Sequence, residues 1–205
     1  VTSTTTIGVL ALQGDVREHV DALERLGVRS IRVRRPAELA ECDALVLPGG
    51  ESTTMFKLAR TFELFDPIVE RLRDGMPAFG TCAGMIMLAD RVVDGTDDQE
   101  TFGGLDVTVR RNAFGRQVDS FEGPVDVKGF DTSLHGVFIR APWVETAGPE
   151  VDVLATVAVG DPAPGESDTR IVAVRQGSLV ATSFHPEVGH DDRMHRYFVD
   201  LVTTS

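Results

Sequence analysis

The first half of the chain alternates short apolar runs with amphipathic segments, and this alternation constrains the fold more than any other feature. The run TIGVLAL from Thr6 is rich in β-branched residues and breaks at Gly14, as a fully buried strand would. In the segment DVREHVDALERLG that follows, Val16, Val20 and Leu23 recur at helical spacing while Arg17, Glu18, Asp21, Glu24 and Arg25 fall elsewhere. Asp15 is placed to cap this helix and Gly27 to end it. The unit repeats as SIRVRR with a short helix opened by Pro36, as ALVLP with a helical segment from about Ser52, and as PAFGT followed by CAGMIMLA. Strands that alternate with helices predict an α/β fold with a mainly parallel sheet covered on both faces.

Beyond about Asp94 the pattern changes. The polar stretch GTDDQETFGG reads as loop, and LDVTV, PVDVKGF, GVFIRAP, VDVLATVAV, RIVAVRQ and LVATSF read as strands. Gly160–Thr169, acidic and Pro/Gly-bearing, reads as an exposed turn, and Met194, Tyr197, Phe198 and Leu201 predict a closing helix between Asp191 and Val202. Neither a repeat nor a linker divides the 205 residues, so one domain over 1–205 is expected, with Val1–Thr5 a loose, flexible end.

Composition excludes several roles. A formal charge of −12 with no basic stripe argues against nucleic acid, because phosphate binding requires clustered cations. No apolar run approaches the roughly 20 residues that span a bilayer, and no secretion signal opens the sequence. The two cysteines, Cys42 and Cys82, form no CxxC or Cys/His spacing, so no disulfide framework or metal site is expected, and the cytoplasm is the expected compartment. Cys42, just before ALVLP, reads as a packing residue.

Chemistry concentrates at three strand ends. Gly80-Thr81-Cys82-Ala83-Gly84 has the spacing of a nucleophile elbow, in which a tight strand-to-helix turn excludes a β-carbon at either flank. A cysteine there meets the positive end of the helix dipole, which favours its thiolate. The pentapeptide alone also fits a small buried cysteine at a glycine-rich turn. His185-Pro186-Glu187 follows LVATSF and supplies a base with a carboxylate able to orient it; alone, such a triplet is more commonly a surface His beside an acid. Leu47-Pro48-Gly49-Gly50-Glu51-Ser52 offers adjacent glycines whose amides could form an oxyanion hole, with the Ala83 amide as second donor; alone, it is an ordinary turn. His135 and His190 have no such setting and read as surface residues. Oxyanion loop, nucleophile and base each fall at the carboxyl end of a predicted strand, where α/β proteins place their chemistry.

Together these residues resemble the class I, triad-type glutamine amidotransferases, and among them the glutaminase subunits of pyridoxal 5′-phosphate synthases. GTCAG and HPE resemble the whole class, whereas ALQG, PGGESTT, RNAFGRQ and FIRAP resemble this subfamily, and the likeness runs through nearly the whole chain. It implies a three-layer fold with a central sheet flanked by helices and extra strands in the second half. It implies Cys82 as nucleophile, His185 as base and Glu187 as its orienter, with Gly50 and Ala83 as oxyanion donors. Gly50, Glu51, Ser52, Arg111, Ile139 and Arg140 resemble the glutamine-binding positions, an arginine being suited to the substrate carboxylate. Gln13 resembles a position at the partner interface. The stretches around Asp94–Thr101 and Gly160–Thr169 depart from the pattern, being longer or more acidic.

The implied reaction is hydrolysis of L-glutamine to glutamate and ammonia through a γ-glutamyl thioester. Ammonia would pass to a (β/α)₈-barrel synthase subunit in a hetero-oligomeric complex that makes pyridoxal phosphate, which is a product and not a cofactor of this chain; no cofactor is expected. The alternatives are a class I glutaminase for another acceptor, in histidine or nucleotide synthesis, or a non-catalytic regulatory protein on the same fold.

Overall fold

The computed structural model describes residues 4–111, 120–158, 165 and 167–204. Of the expected features, Val1–Ser3 of the loose end, most of RNAFGRQ and most of the Gly160–Thr169 turn lie outside these residues.

Strand β1 (Thr6–Leu10) leads to helix α1 (Val16–Arg25), β2 (Arg29–Val33), α2 (Pro36–Ala40) and β3 (Ala44–Leu47). Helices α3 (Ser52–Thr61) and α4 (Phe65–Arg73) precede β4 (Ala78–Thr81), α5 (Ala83–Leu88) and β5 (Ala89–Val93). The second half runs through β6 (Leu105–Arg110), β7 (Ser120–Val125), β8 (Leu134–Ile139), β9 (Trp143–Ala147), β10 (Asp152–Ala158), β11 (Thr169–Gln176) and β12 (Leu179–Thr182) to α6 (Arg193–Thr204).

The main sheet has the order β2-β1-β3-β4-β12-β11-β9-β6-β5, with β10 on β11, while β7 and β8 form a separate ribbon. From β2 to β12 every pairing is parallel. Beyond β12 the pairings of β11, β10, β9 and β6 are antiparallel, and β5 returns parallel to β6. The three central strands β3, β4 and β12 therefore end on the same side, carrying the PGG turn, Cys82 and His185 with them.

Strand alternation divides the core. Leu45 and Leu47 of β3 join Met55, Phe65, Ile68 and Met85 from α3, α4 and α5 on one face. Ala44 and Val46 join Val20 and Leu23 of α1, Phe79 of β4, and Met194 and Phe198 of α6 on the other. Each fully buried Leu, Met or Phe here contributes about 1.5–3 kcal/mol relative to exposure. Gly8 is required by this packing, since a Cβ would meet Cys42 Sγ at 2.6 Å and Val33 at 2.7 Å. Cys42 is thus a packing residue, 3% exposed, and burial pushes its thiol up to about 11. Among the described residues no helix is long and apolar enough to cross a membrane.

Several expected boundaries move. Asp15 occupies the N-cap position of α1 but makes no side-chain cap bond, because its carboxylate is directed at His185. Gly27 does follow the end of α1, with φ 73°. The helical stretch from Ser52 is two helices, separated at Glu63, whose φ is 58°. PVDVKGF is strand only to Val125; the chain then turns at Gly129, with φ 87°. Strand β8 stops at Ile139 because Arg140 takes φ 43°, and β5 and β9 are additional to the expected strands.

Candidate active site

Cys82 ends β4 and starts α5 in a backbone conformation, φ 50° and ψ −106°, that L-residues rarely adopt. The turn is clamped from both sides. A Cβ on Gly80 would lie 2.5 Å from the Gly84 carbonyl, and one on Gly84 would lie 2.0 Å from the Leu47 carbonyl oxygen. The Cys82 amide donates to the Thr182 carbonyl at 2.8 Å, so the elbow is fastened to β12 as well. Its side chain is 6% exposed, with Sγ 3.9 Å from the Ile139 carbonyl oxygen.

Thr81 and Thr182 are register partners, and the chain continues from Thr182 to His185 on the cysteine's side of the sheet. The His185 amide donates to Val137 of β8 at 2.9 Å, which fixes its backbone. Its ring Nδ1 lies 2.7 Å from Glu187 Oε1, and both side chains are buried. Burial lowers the His185 pKa, but its interactions with Asp15, Cys82 and Glu187 outweigh that effect and push it up to about 12. Burial pushes the Glu187 carboxyl upward, so its ionised form depends on the positive ring beside it. A proton held between thiol, imidazole and carboxylate suits nucleophilic attack followed by protonation of a leaving group.

The PGG turn lies against both groups. A Cβ on Gly49 would lie 2.4 Å from His185 Cε1, and one on Gly50, whose φ is 147°, would lie 2.2 Å from Gln13 Oε1. The Glu51 amide donates to that same Gln13 oxygen at 2.9 Å. Glu51 caps α3, accepting from the amides of Thr53 at 3.0 Å and Thr54 at 2.7 Å. Burial raises its carboxyl, but bonds from Thr54 and Thr53 prevail and hold it at about 2. Arg111 is drawn to this end by Glu51 Oε1 at 3.0 Å and by Gln99 Oε1 at 2.9 Å. Ser52 is buried, and its hydroxyl has no hydrogen-bond partner among the described residues. Ile139 and Arg140 are exposed at the end of β8, Ile139 presenting its carbonyl to the thiol. His135 is exposed and paired with Glu122, and His190 is exposed.

Two histidines in the interior were not apparent from sequence. His19 of α1 is fully buried, with Nδ1 2.8 Å from His195 Nε2, Nε2 3.1 Å from Thr81 Oγ1, and Nε2 3.7 Å from Glu187 Oε2. Burial pushes His19 well down and His195 down to about 4, so both are neutral. Asp15, His185 and Glu187 each place a ligand-type atom within 4.8 Å of the others. Asp15 and Glu187 both approach the same His185 nitrogen in that trio, at 3.2 Å and 2.7 Å.

A strained cysteine after one central strand, a His–carboxylate pair after its neighbour and a glycine loop after the third thus meet at one end of the sheet. The SNO glutamine amidotransferase family model matches residues 9–204, and the chain belongs to that family. A pyridoxal 5′-phosphate synthase subunit PdxT of a Nocardioides species is 70% identical over 203 residues, covering 99% of this chain and 98% of the relative. The protein of the same name from Streptomyces coelicolor is 58% identical, covering 98% and 96%. A glutamine amidotransferase crystal structure superimposes with a TM-score of 0.85 at 49% identity, covering 96% of this chain and 98% of that one. A glutamine amidotransferase from Thermotoga maritima, at 16% identity and TM-score 0.61, covering 98% and 85%, shares the fold.

Proposed function

We propose that this chain is the glutaminase subunit of a pyridoxal 5′-phosphate synthase, hydrolysing L-glutamine and passing ammonia to a (β/α)₈-barrel synthase subunit. The observation that carries the reading is the strained Cys82 elbow after β4 beside the buried His185–Glu187 pair after its neighbour β12, in a chain 58–70% identical to proteins named as subunits of that synthase. Relatives with other acceptors, such as a GMP synthase subunit at 17% identity, share only the fold, which favours pyridoxal phosphate synthesis over nucleotide or histidine synthesis.

In this mechanism Cys82 Sγ attacks the side-chain amide carbon of glutamine, and the Gly50 and Ala83 amides stabilise the oxyanion. The carbon–nitrogen bond breaks as His185 gives its proton to the departing ammonia. Water, deprotonated by the same ring, then attacks the thioester and releases glutamate, returning the sulfur as thiolate. Glu187 holds the ring in one tautomer throughout. Arg111 would bind the substrate α-carboxylate, exchanging part of its pairing with Glu51 for it. Gly50, Glu51, Ser52, Ile139 and Arg140 would line the glutamine site, and Gln13 would face the synthase subunit.

The test is selective labelling joined to an ammonia bypass. 6-Diazo-5-oxo-L-norleucine should modify Cys82 and leave Cys42 unmodified, since the latter's thiol is buried and held at about 11. Cys82→Ala should lose glutamine-dependent synthesis while the complex still makes product from ammonium salts. Retained glutamine turnover in that variant would end the proposal.

A further inference from the structure

Asp15 stands where helix α1 should be capped, yet its side chain makes no cap bond. Its carboxylate is directed at another partner. Its Oδ2 lies 3.2 Å from His185 Nδ1, the same nitrogen that Glu187 Oε1 approaches at 2.7 Å. One ring nitrogen thus faces two carboxylates. Glu187 is the enclosed one, its side chain 0% exposed, and Asp15 is the accessible one, at 40%.

The loop that carries Asp15 is fastened to the glycine turn. The Asp15 amide donates to the Gly49 carbonyl at 3.2 Å, and Gly14 passes so close that a Cβ would be 1.7 Å from that oxygen. Gln13, two residues earlier, accepts the Glu51 amide. A Cβ on Gly49 would also lie 3.0 Å from Asp15 Oδ2, so the bare Gly49 leaves Asp15 its path to the ring.

We infer that Asp15 is a positioning residue for the reaction, a second carboxylate that holds the His185 ring and its proton from the solvent side and ties both to the loop Gln13–Asp15. The inference rests on the glutaminase reading for its catalytic meaning. The other groups facing His185 do not replace Asp15. Cys82, at the start of α5, interacts with the ring and, with the two carboxylates, raises its pKa. Glu187 approaches the same Nδ1 from the buried side. His19 of α1, 3.7 Å from Glu187 Oε2, and His195 of α6 behind it are neutral. Its contact with His185 in turn holds the Asp15 carboxyl below its ordinary range. A loop that moved on docking of a partner would therefore move a charge at the base, giving the interface a direct hold on the imidazole.

The test compares wild type, Asp15→Asn and Asp15→Glu as full-length chains with ¹⁵N-labelled histidine rings, following the His185 ring signals against pH. Asp15→Asn should lose the ring proton at least about one pH unit below wild type, and Asp15→Glu should restore it. With the synthase subunit present, Asp15→Asn should lower kcat for glutamine hydrolysis about tenfold with KM little changed, again restored by glutamate. An unchanged His185 titration in Asp15→Asn overturns the inference whatever Cys82 does. A shifted titration beside wild-type turnover also overturns the positioning role. Failure of Cys82 labelling would count against the glutaminase reading alone, because the ring titration is read without substrate.

Discussion

Thr81 and Thr182 face each other in register on adjacent parallel strands, and the cysteine and the histidine leave the sheet just beyond them. The pairing is reinforced by the Cys82 amide bonding to the Thr182 carbonyl. Two residues over a hundred positions apart are thereby set by backbone geometry, and the remaining freedom lies in what surrounds the imidazole.

Gly49 controls one side of that ring. A methyl group there would press on His185 Cε1 at 2.4 Å and would lie 3.0 Å from Nδ1, the nitrogen that Glu187 holds. Gly49→Ala should therefore cost about 1–3 kcal/mol of stability by overpacking and, if His185 is the base as proposed, lose about 10²-fold in kcat through its misplacement. Steady-state hydrolysis in the synthase complex beside a thermal melt separates the two effects; turnover within about twofold of wild type would show that the ring tolerates the methyl.

Glu51 joins the capping of α3 to the position of Arg111. Glu51→Ala removes the acceptor of the Thr53 and Thr54 amides and of the Arg111 guanidinium, and should cost about 1 kcal/mol in urea unfolding. It should also raise KM for glutamine more than it lowers kcat, since Arg111 is no longer held in place. The wild-type carboxyl is depressed from 4.5 to about 2, so its stabilisation is present above pH 4.5 and fades as pH falls towards 2. A Glu51→Ala protein with the same acid dependence as wild type would contradict this.

His195 should make the fold acid-sensitive. Its pKa is 6.5 when exposed and about 4 in the fold, so the unfolded chain takes up a proton first as pH falls through that window. Stability should decline on acidification below 6.5, by up to about 1.4 kcal/mol per pH unit for this residue, with His19 adding in the same direction. His185 has the opposite sign. Its raised pKa stabilises the fold fully below 6.5, so its contribution is constant there and is lost only as pH rises towards 12. Urea midpoints between about pH 6.5 and about pH 5 should show a shallower slope for His195→Leu. Parallel slopes would remove His195 as the cause.

The parts of the fold legible in sequence are those buried on two sides. TIGVLAL, ALVLP, PAFGT and LVATSF are continuous apolar runs because helices cover both faces of their strands. Strand β5, by contrast, is edge sequence, Ala-Asp-Arg-Val-Val with exposed Asp90 and Arg91, and β9 includes exposed Glu145 and Thr146, so neither carries an apolar run. The break between α3 and α4 is made by Glu63 in a left-handed conformation, without glycine or proline to announce it. Within the site, GTCAG, HPE and PGG were visible because glycine and proline mark the turns that chemistry requires. Asp15 was not, because its capping position and its contact with His185 leave the same local signature. His19 reads as one polar residue on an amphipathic helix, and its burial depends on His195, which lies 176 residues away.

Helix α5 is buried along its entire length, whereas the Glu51–Arg111 bridge keeps 48% and 15% of its two side chains in solvent. Errors introduced into the two regions should therefore surface differently. Substitutions in α5 would leave a cavity or a clash and should lower stability. Substitutions around Glu51 and Arg111, on a part-exposed bridge, should cost less in stability, and on the proposed function they would act on the affinity for glutamine.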